Sequence, residues 1–311
     1  MVLRSYVTGI RAALAAPKLL AVVWLVLLVA AAPLGVLVQR AIQDDIGGSR
    51  VHVELRQRMD MTWLSEFQER HEELGPSVRP ATLGRADFLY NLDLLFSGEL
   101  FAQHPALVAA GSLYALVWLL TLGGVVDRFA RGGGRFVLSQ FLAACGRYFG
   151  RLLRLGALSA VLYWLVYRLA RWGYGALEEN LQDVTIESTI LLYYLLAALP
   201  LLVVVGLVMM TFDYARIASV VDEEPNTLKA LRRGLSFVLR RPFAVFTLAL
   251  LVTLSVAALV VLRTVASPGV GESTALGVLA VFLLGQLFLL ARLVLRLGFV
   301  GSELALYRSL R

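Results

Sequence analysis

LLAVVWLVLLVAAAPLGVLV, Leu19–Val38, is an apolar stretch of 20 residues without a charged side chain. At about 1.5 Å of rise per residue, a helix over it covers about 30 Å, the hydrocarbon thickness of a bilayer. Arg4, Arg11 and Lys18 precede it. A cleavable signal peptide has a shorter core of roughly 7–15 apolar residues and then a small-residue cleavage site. The stretch is therefore expected to be a retained first span.

Five further stretches meet the same criteria of length and polarity: Ala106–Val126, Leu152–Ala170, Thr189–Met210, Phe243–Leu262 and Ala275–Ala291. The last extends to Val300 if Arg292 and Arg296 reach to the interface along their aliphatic stems. Pro33 and Pro200 fall inside the first and fourth stretches, where proline bends a helix. Pro105 stands just ahead of the second, where a missing N–H costs nothing. The composition agrees: of 311 residues 59% are hydrophobic and 16% charged, too apolar for an ordinary water-soluble domain. The net charge of +7 invites a nucleic-acid reading, but the cations sit in blocks between apolar stretches, as in proteins that meet anionic headgroups. Nucleic acid is therefore excluded as a partner.

The blocks also orient the chain. Lys and Arg number 3 in Met1–Lys18, 6 from Arg128 to Arg154, 6 from Arg216 to Arg241 and 4 from Arg292 to Arg311. The intervening segments hold 7 in the long loop, which also carries 11 acidic residues, and 3 in the two short connections. Short basic connections stay in the cytoplasm, so both termini are expected there. Tyr163, Trp164, Tyr167, Trp172, Tyr174, Tyr193 and Tyr194 gather at the opposite boundary, where amphipathic rings prefer to lie. Three parts follow: a cytoplasmic start and first span over 1–38, an extracytoplasmic cap over 39–104, and a five-span bundle over 105–311.

The basic segments repeat weakly. Asp127-Arg128-Phe129-Ala130-Arg131 follows the second span and Asp213-Tyr214-Ala215-Arg216 the fourth; Glu303-Leu304-Ala305 echoes them after the sixth. Gly9 and Pro17, Gly234 and Pro242, and Gly146 and Arg154 are each 8 apart, ahead of the first, fifth and third spans. Self-similarity of this kind points to three units, each a basic surface helix, an outward span and a return span. Over Thr227–Leu239, Leu228, Leu231, Leu235 and Val238 form one stripe, with Lys229, Arg232, Arg233 and Arg240 beside or opposite it. Such a helix lies in the interface with its cations toward anionic lipid; the competing reading is a linker helix docked on the bundle. Asp-Tyr-Ala-Arg at 213–216, Val220-Val221-Asp222-Glu223, Ala230-Leu231-Arg232-Arg233-Gly234, Arg240-Arg241-Pro242 and the outer Asp183-Val184-Thr185-Ile186-Glu187 together resemble an uncharacterised family of bacterial six-span membrane proteins. The resemblance implies the six-span architecture and the bacterial inner membrane. It implies no activity and no functional residues.

In the loop from Gln39 to His104, Val51, Val53 and Leu55 alternate with polar residues as in a short strand. Thr62–Leu74 reads as an amphipathic helix with Trp63, Leu64, Phe67 and Leu74 inward, stopped by Gly75-Pro76. Asp87 opens a further interfacial or re-entrant helix bearing Phe88, Leu89, Leu92, Leu95 and Phe96.

No catalytic constellation emerges. His52, His71 and His104 all fall in the loop, and His71-Glu72-Glu73-Leu74 lacks the second histidine of a zinc-protease helix. Arg131-Gly132-Gly133-Gly134-Arg135 lacks P-loop spacing and reads as a basic turn. Cys145, the single cysteine, allows no intrachain disulfide; Arg147 and Arg151 nearby could activate it, but no base accompanies it. The spans carry no central Asp, Glu, Lys or Arg, which argues against a proton-driven carrier. Gln286, beside Gly285, is the one strongly polar deep residue and suits a helix–helix hydrogen bond.

The expectation is an all-α polytopic membrane protein: six transmembrane helices as three hairpins, with cytoplasmic interfacial amphipathic helices and one extracytoplasmic loop domain. It is expected to be no enzyme and to need no cofactor or metal. Its role would be that of a scaffold or accessory subunit of a membrane complex, docking protein partners through the cap and the basic helices. Anionic phospholipids are expected at Arg128, Arg131, Arg147, Arg151, Lys229, Arg232, Arg233, Arg240 and Arg241. The alternative is a carrier or channel for an uncharged or lipidic solute.

Overall fold

The computed structural model describes residues 1–46, 61–70, 105–132, 135–182, 184, 186–266 and 275–311. Among these residues the chain forms nine helices and no strand: α1 (Val2–Leu14), α2 (Pro17–Ile46), α3 (Met61–Arg70), α4 (Pro105–Ala130), α5 (Leu138–Leu181), α6 (Glu187–Val221), α7 (Thr227–Arg240), α8 (Pro242–Ala266) and α9 (Ala275–Leu310). Six of them, α2, α4, α5, α6, α8 and α9, are long and apolar enough to cross a membrane. Each contains one of the stretches singled out in the sequence. Pro33 and Pro200 lie inside unbroken helices. Large apolar side chains such as Leu169, Leu202, Val203, Leu254 and Val261 are exposed, the surface of a chain whose solvent is lipid. The alternating Val51–Leu55 segment, the helix opened by Asp87 and all three histidines lie outside the described residues.

Two compact units share the helices. The first comprises Met1–Ala12, Leu119–Leu251 and Gly298–Arg311; the second comprises Ala13–Trp118 and Val252–Leu297.

In the first unit, the far end of each return helix receives a basic helix. The end of α6 receives α7: a Cβ on Gly234 would overlap the Thr211 carbonyl oxygen and come within 2.7 Å of Ala215 N. The end of α9 receives α1 in the same way, where a Cβ on Gly9 would overlap Gly298 O and Ser302 N. Ser302 Oγ lies 2.7 Å from Gly298 O and 3.1 Å from Tyr6 O, tying the pair together. Small residues are what allow two helix backbones this close. The end of α4 receives the start of α5 with the roles exchanged. Here Gly123 and Gly124 lie on the return helix, against Tyr148, Cys145 and Phe141, and Gly146 faces open space. The threefold pattern of the sequence thus has a packing counterpart, whose last member joins the first helix to the final one.

The third surface helix is not a separate element. α5 runs unbroken for 44 residues, about 66 Å at about 1.5 Å per residue, so basic segment and span are one rod. The cause is local. Pro17 and Pro242 begin α2 and α8 and disfavour helical geometry at the residue before them; Arg241 sits at φ −135°, ψ 45°. Arg154 stands at the corresponding place in α5 and lets the helix continue.

In the second unit, α3 rests on the end of α2. Trp63, Leu64 and Phe67 pack against Val38, Ala41, Ile42 and Ile46. Trp63 Nε1 donates to Asp45 Oδ2 at 2.8 Å, and Arg70 Nη1 pairs with Asp45 Oδ1 at 3.1 Å. The inward face expected for Trp63, Leu64 and Phe67 is therefore present. Arg296 does not reach away from the helices: its guanidinium stacks 3.5 Å from the Trp118 ring centroid and donates to the Tyr114 hydroxyl, a cation–π contact that shelters its charge.

Gly234→Leu and Gly9→Leu are expected to lower the thermal unfolding midpoint in detergent, each costing about 1–3 kcal/mol through forced overpacking. Gly285→Ala, where a Cβ meets open space, is expected to leave the midpoint unchanged or slightly raised. Equal midpoints for all three variants would rule out close backbone approach as a determinant of the fold.

Candidate functional site: a basic cavity beside an acidic turn

The chain leaves α6 through Asp222-Glu223-Glu224-Pro225, and the three acids engage three different helices. Asp222 accepts from the Tyr307 hydroxyl of α9 at 2.8 Å and pairs with Arg311 at 2.7 Å and with Arg233 of α7 at 3.4 Å. Glu223 accepts from the Tyr148 hydroxyl of α5 at 3.2 Å. Glu224 pairs with Arg233 at 2.9 Å and accepts from the backbone N–H of Asn226 at 3.3 Å. Glu223 adopts φ +50°, a left-handed conformation that costs an L side chain roughly 1–2 kcal/mol. The surrounding contacts hold the turn in that shape. Asn226 then caps α7, its Oδ1 accepting from Leu228 N at 3.0 Å and Lys229 N at 3.2 Å.

α7 carries three stripes rather than the two expected. Ala230, Gly234 and Val238, one turn apart, are buried on the bundle. Leu228 and Leu239, at 69% and 59% exposure, form an outward ridge with Leu235. The four residues of the expected apolar stripe thus split, Val238 going inward, Leu228 and Leu235 outward, and Leu231 half-buried. The close approach at Gly234 selects the small-residue face for packing on the bundle. Phe237 completes the inner side, its ring 4.5 Å from that of Tyr214 and 5.1 Å from that of Tyr307.

The third stripe is cationic and lines a cavity of about 530 Å³ between α7 and the end of α9. Lys229, Arg232, Arg233, Arg240 and Arg241 come from α7 and its C-cap; Arg311 and Tyr307 come from the other side, with Ser236 and Phe237 also in the wall. Arg233 and Arg311 are fixed by the buried carboxylate of Asp222. Lys229, Arg232, Arg240 and Arg241 make no ion pair among the described residues.

The structure therefore gathers five of the nine cations expected at the lipid surface and uses most of the others internally. Arg131 pairs with Asp127 at 2.7 Å, Arg128 donates to Gly132 O at 2.6 Å, and Arg151 donates to Ser219 O at 3.4 Å. Arg147 stays outside the cavity. Gly132, at φ +73°, ends α4, so the basic glycine run opens as a helix stop. Gln286 Oε1 is buried without a hydrogen-bond partner among the described residues, and Gly285 beside it offers no close contact. Sequence reasoning passed over Tyr307 and Arg311, and over the anchoring role of Asp222 and Glu224. Their contacts span 85–89 positions in the chain for the first acid, a separation that local spacing cannot reveal.

A second charged cluster joins α6 and α9. Glu303, 4% exposed, sits within electrostatic reach of Asp213 and Arg216, themselves paired at 2.7 Å. Cys145 is buried, with Sγ 3.9 Å from Thr121 O and packed on Gly124. Among the described residues no three His, Cys, Asp or Glu side chains gather as a metal-ligand set.

No family model, curated protein or solved structure matches this chain. Residue roles therefore rest on the geometry alone.

Asp222→Asn is expected to destabilise the protein by about 1–3 kcal/mol, because a buried carboxylate that accepts two hydrogen bonds and pairs with Arg233 and Arg311 loses its charge. Glu66→Gln, in an exposed pair with Arg70 (58% and 52% exposed), is expected to cost no more than about 0.5 kcal/mol. Thermal unfolding in detergent compares the two; equal costs would deny the turn its anchoring role. Cys145 should resist N-ethylmaleimide in the folded protein and label fully after unfolding in SDS, as mass spectrometry would register. Rapid labelling of folded protein would place the thiol at the surface.

Proposed function

We propose that this chain is a non-enzymatic scaffold or accessory subunit of a membrane complex, multi-pass in a bacterial inner membrane with both termini in the cytoplasm. Its basic helices face anionic phospholipid, and protein partners dock on the cap and the basic face. The observation that carries this reading is the display of Lys229, Arg232, Arg240 and Arg241, without acidic partners among the described residues, on a helix locked in place by Gly234. A surface held rigid before contact loses less entropy on docking than a mobile one. The count of Lys and Arg in the short connections supports the inward placement of this face.

Extraction into polymer-bounded native discs, followed by mass measurement, tests the reading. The expected outcome is a complex of fixed stoichiometry, larger than the 34.1 kDa chain and retained across several polymers. A lone chain under every condition would overturn it.

A further inference from the structure

The charge of the cavity is not matched from within. Six cations line it. The neighbouring Asp222 and Glu224 pair with Arg233 and Arg311, and four cations are left over. Guanidinium groups present paired N–H donors at a spacing that fits phosphate oxygens. Ser236 and Tyr307 add hydroxyl groups to the lining, while Phe237 and Leu310 supply apolar wall. The surroundings indicate where a phosphate would come from. The outward ridge of Leu228, Leu235 and Leu239 lies on the same helix as the cavity cations. Phe243, two residues after Arg241, is 86% exposed and opens the apolar helix α8. Cations, leucine ridge and the start of a membrane-crossing helix therefore follow one another along the chain, a composition suited to the boundary where headgroup gives way to acyl chain.

We propose that the cavity between α7 and the end of α9 binds the headgroup of an anionic phospholipid that carries two phosphates. Lys229, Arg232, Arg240 and Arg241 contact the phosphates, Arg233 and Arg311 are held at the wall by Asp222, and the acyl chains lie along the leucine ridge. Two phosphates fit the charge better than one, because a single phosphodiester would leave most of the four uncommitted cations unmatched. The proposal deepens the membrane-docking reading and rests on it for the depth of the basic face. It needs no protein partner, so the two fail separately.

The test uses the full chain, purified free of anionic lipid and placed in phosphatidylcholine nanodiscs with trace amounts of fluorescent cardiolipin or phosphatidylglycerol. Cardiolipin is expected to bind at least about tenfold more tightly than phosphatidylglycerol, given the roughly additive contribution of each surface cation. The quadruple variant Lys229→Gln, Arg232→Gln, Arg240→Gln, Arg241→Gln is expected to lose that preference. A variant with the same change of charge elsewhere, Arg4→Gln, Arg11→Gln, Lys18→Gln, Arg135→Gln, should keep it within about twofold, since only charges in the cavity bear on it. Ser236→Phe narrows the cavity without altering charge and is expected to weaken the preference while the unfolding midpoint shows the chain still folded. Inorganic pyrophosphate at a concentration equal to that of the lipid should not displace it, since it lacks the acyl chains that lie along the leucine ridge. Equal affinity for the two lipids, equal loss in both quadruple variants, unchanged binding by Ser236→Phe, or displacement by pyrophosphate would each overturn the proposal, the last by assigning the cavity to a soluble phosphate ligand.

Discussion

The turn Asp222-Glu223-Glu224 is the constraint on which α5, α7 and the end of α9 depend for their mutual placement. A helix that ends in a left-handed glutamate spends conformational energy there, and the structure recovers it by sending each acid to a different neighbour. Tyr148 draws in α5, Arg233 draws in α7, and Tyr307 with Arg311 draw in the end of α9. A buried carboxylate is expensive unless it is well partnered, so Asp222 fixes the positions of its partners as much as they stabilise it. The same contacts align the wall of the cavity, because Arg233 and Arg311 are held at one edge by a common anion.

Close backbone approach supplies the second constraint. Gly234 and Gly9 each lie over the peptide of a return helix, at a distance that leaves no room for a side chain. Electrostatic ties tolerate small displacements; a contact with no Cβ does not. Together they set α7 in rotation as well as position, which is why Leu228, Leu235 and Leu239 face outward and its small residues inward.

The fold was legible where the physics is local. An apolar stretch of 20 residues such as Leu19–Val38 has few alternatives to a membrane-length helix, and the face of α3 formed by Trp63, Leu64 and Phe67 follows from spacing alone. The fusion of basic segment and span in α5 was equally local, since it turns on Arg154 standing where Pro17 and Pro242 stand, but the repeat drew attention to the similarity rather than to that difference. The site was legible only in part. Lys229, Arg232, Arg233, Arg240 and Arg241 were visible as a cationic helix face. Which cations stay uncommitted depends on contacts from distant segments: Asp127 takes Arg131 one turn away, whereas Tyr307 and Arg311 reach Asp222 across most of the last third of the chain.

The repeat itself bears on what the cavity is for. Aligned on Gly234 with Gly9 and on Pro242 with Pro17, the positions of Lys229, Arg232, Arg233, Arg240 and Arg241 correspond in α1 to Arg4, Val7, Thr8, Ala15 and Ala16. Aligned on Gly146, they correspond in α5 to Phe141, Ala144, Cys145, Leu152 and Leu153. All three helices pack on a return helix by the same kind of close contact, so docking on the bundle needs no such cluster of charge. If the cations served only to hold a surface helix at the interface, α1 would need them as much as α7 does. α7 and its C-cap carry five cations, against two on α1 and three at the start of α5, and four of the five make no ion pair among the described residues, which ties them to what the cavity receives rather than to the architecture that carries it.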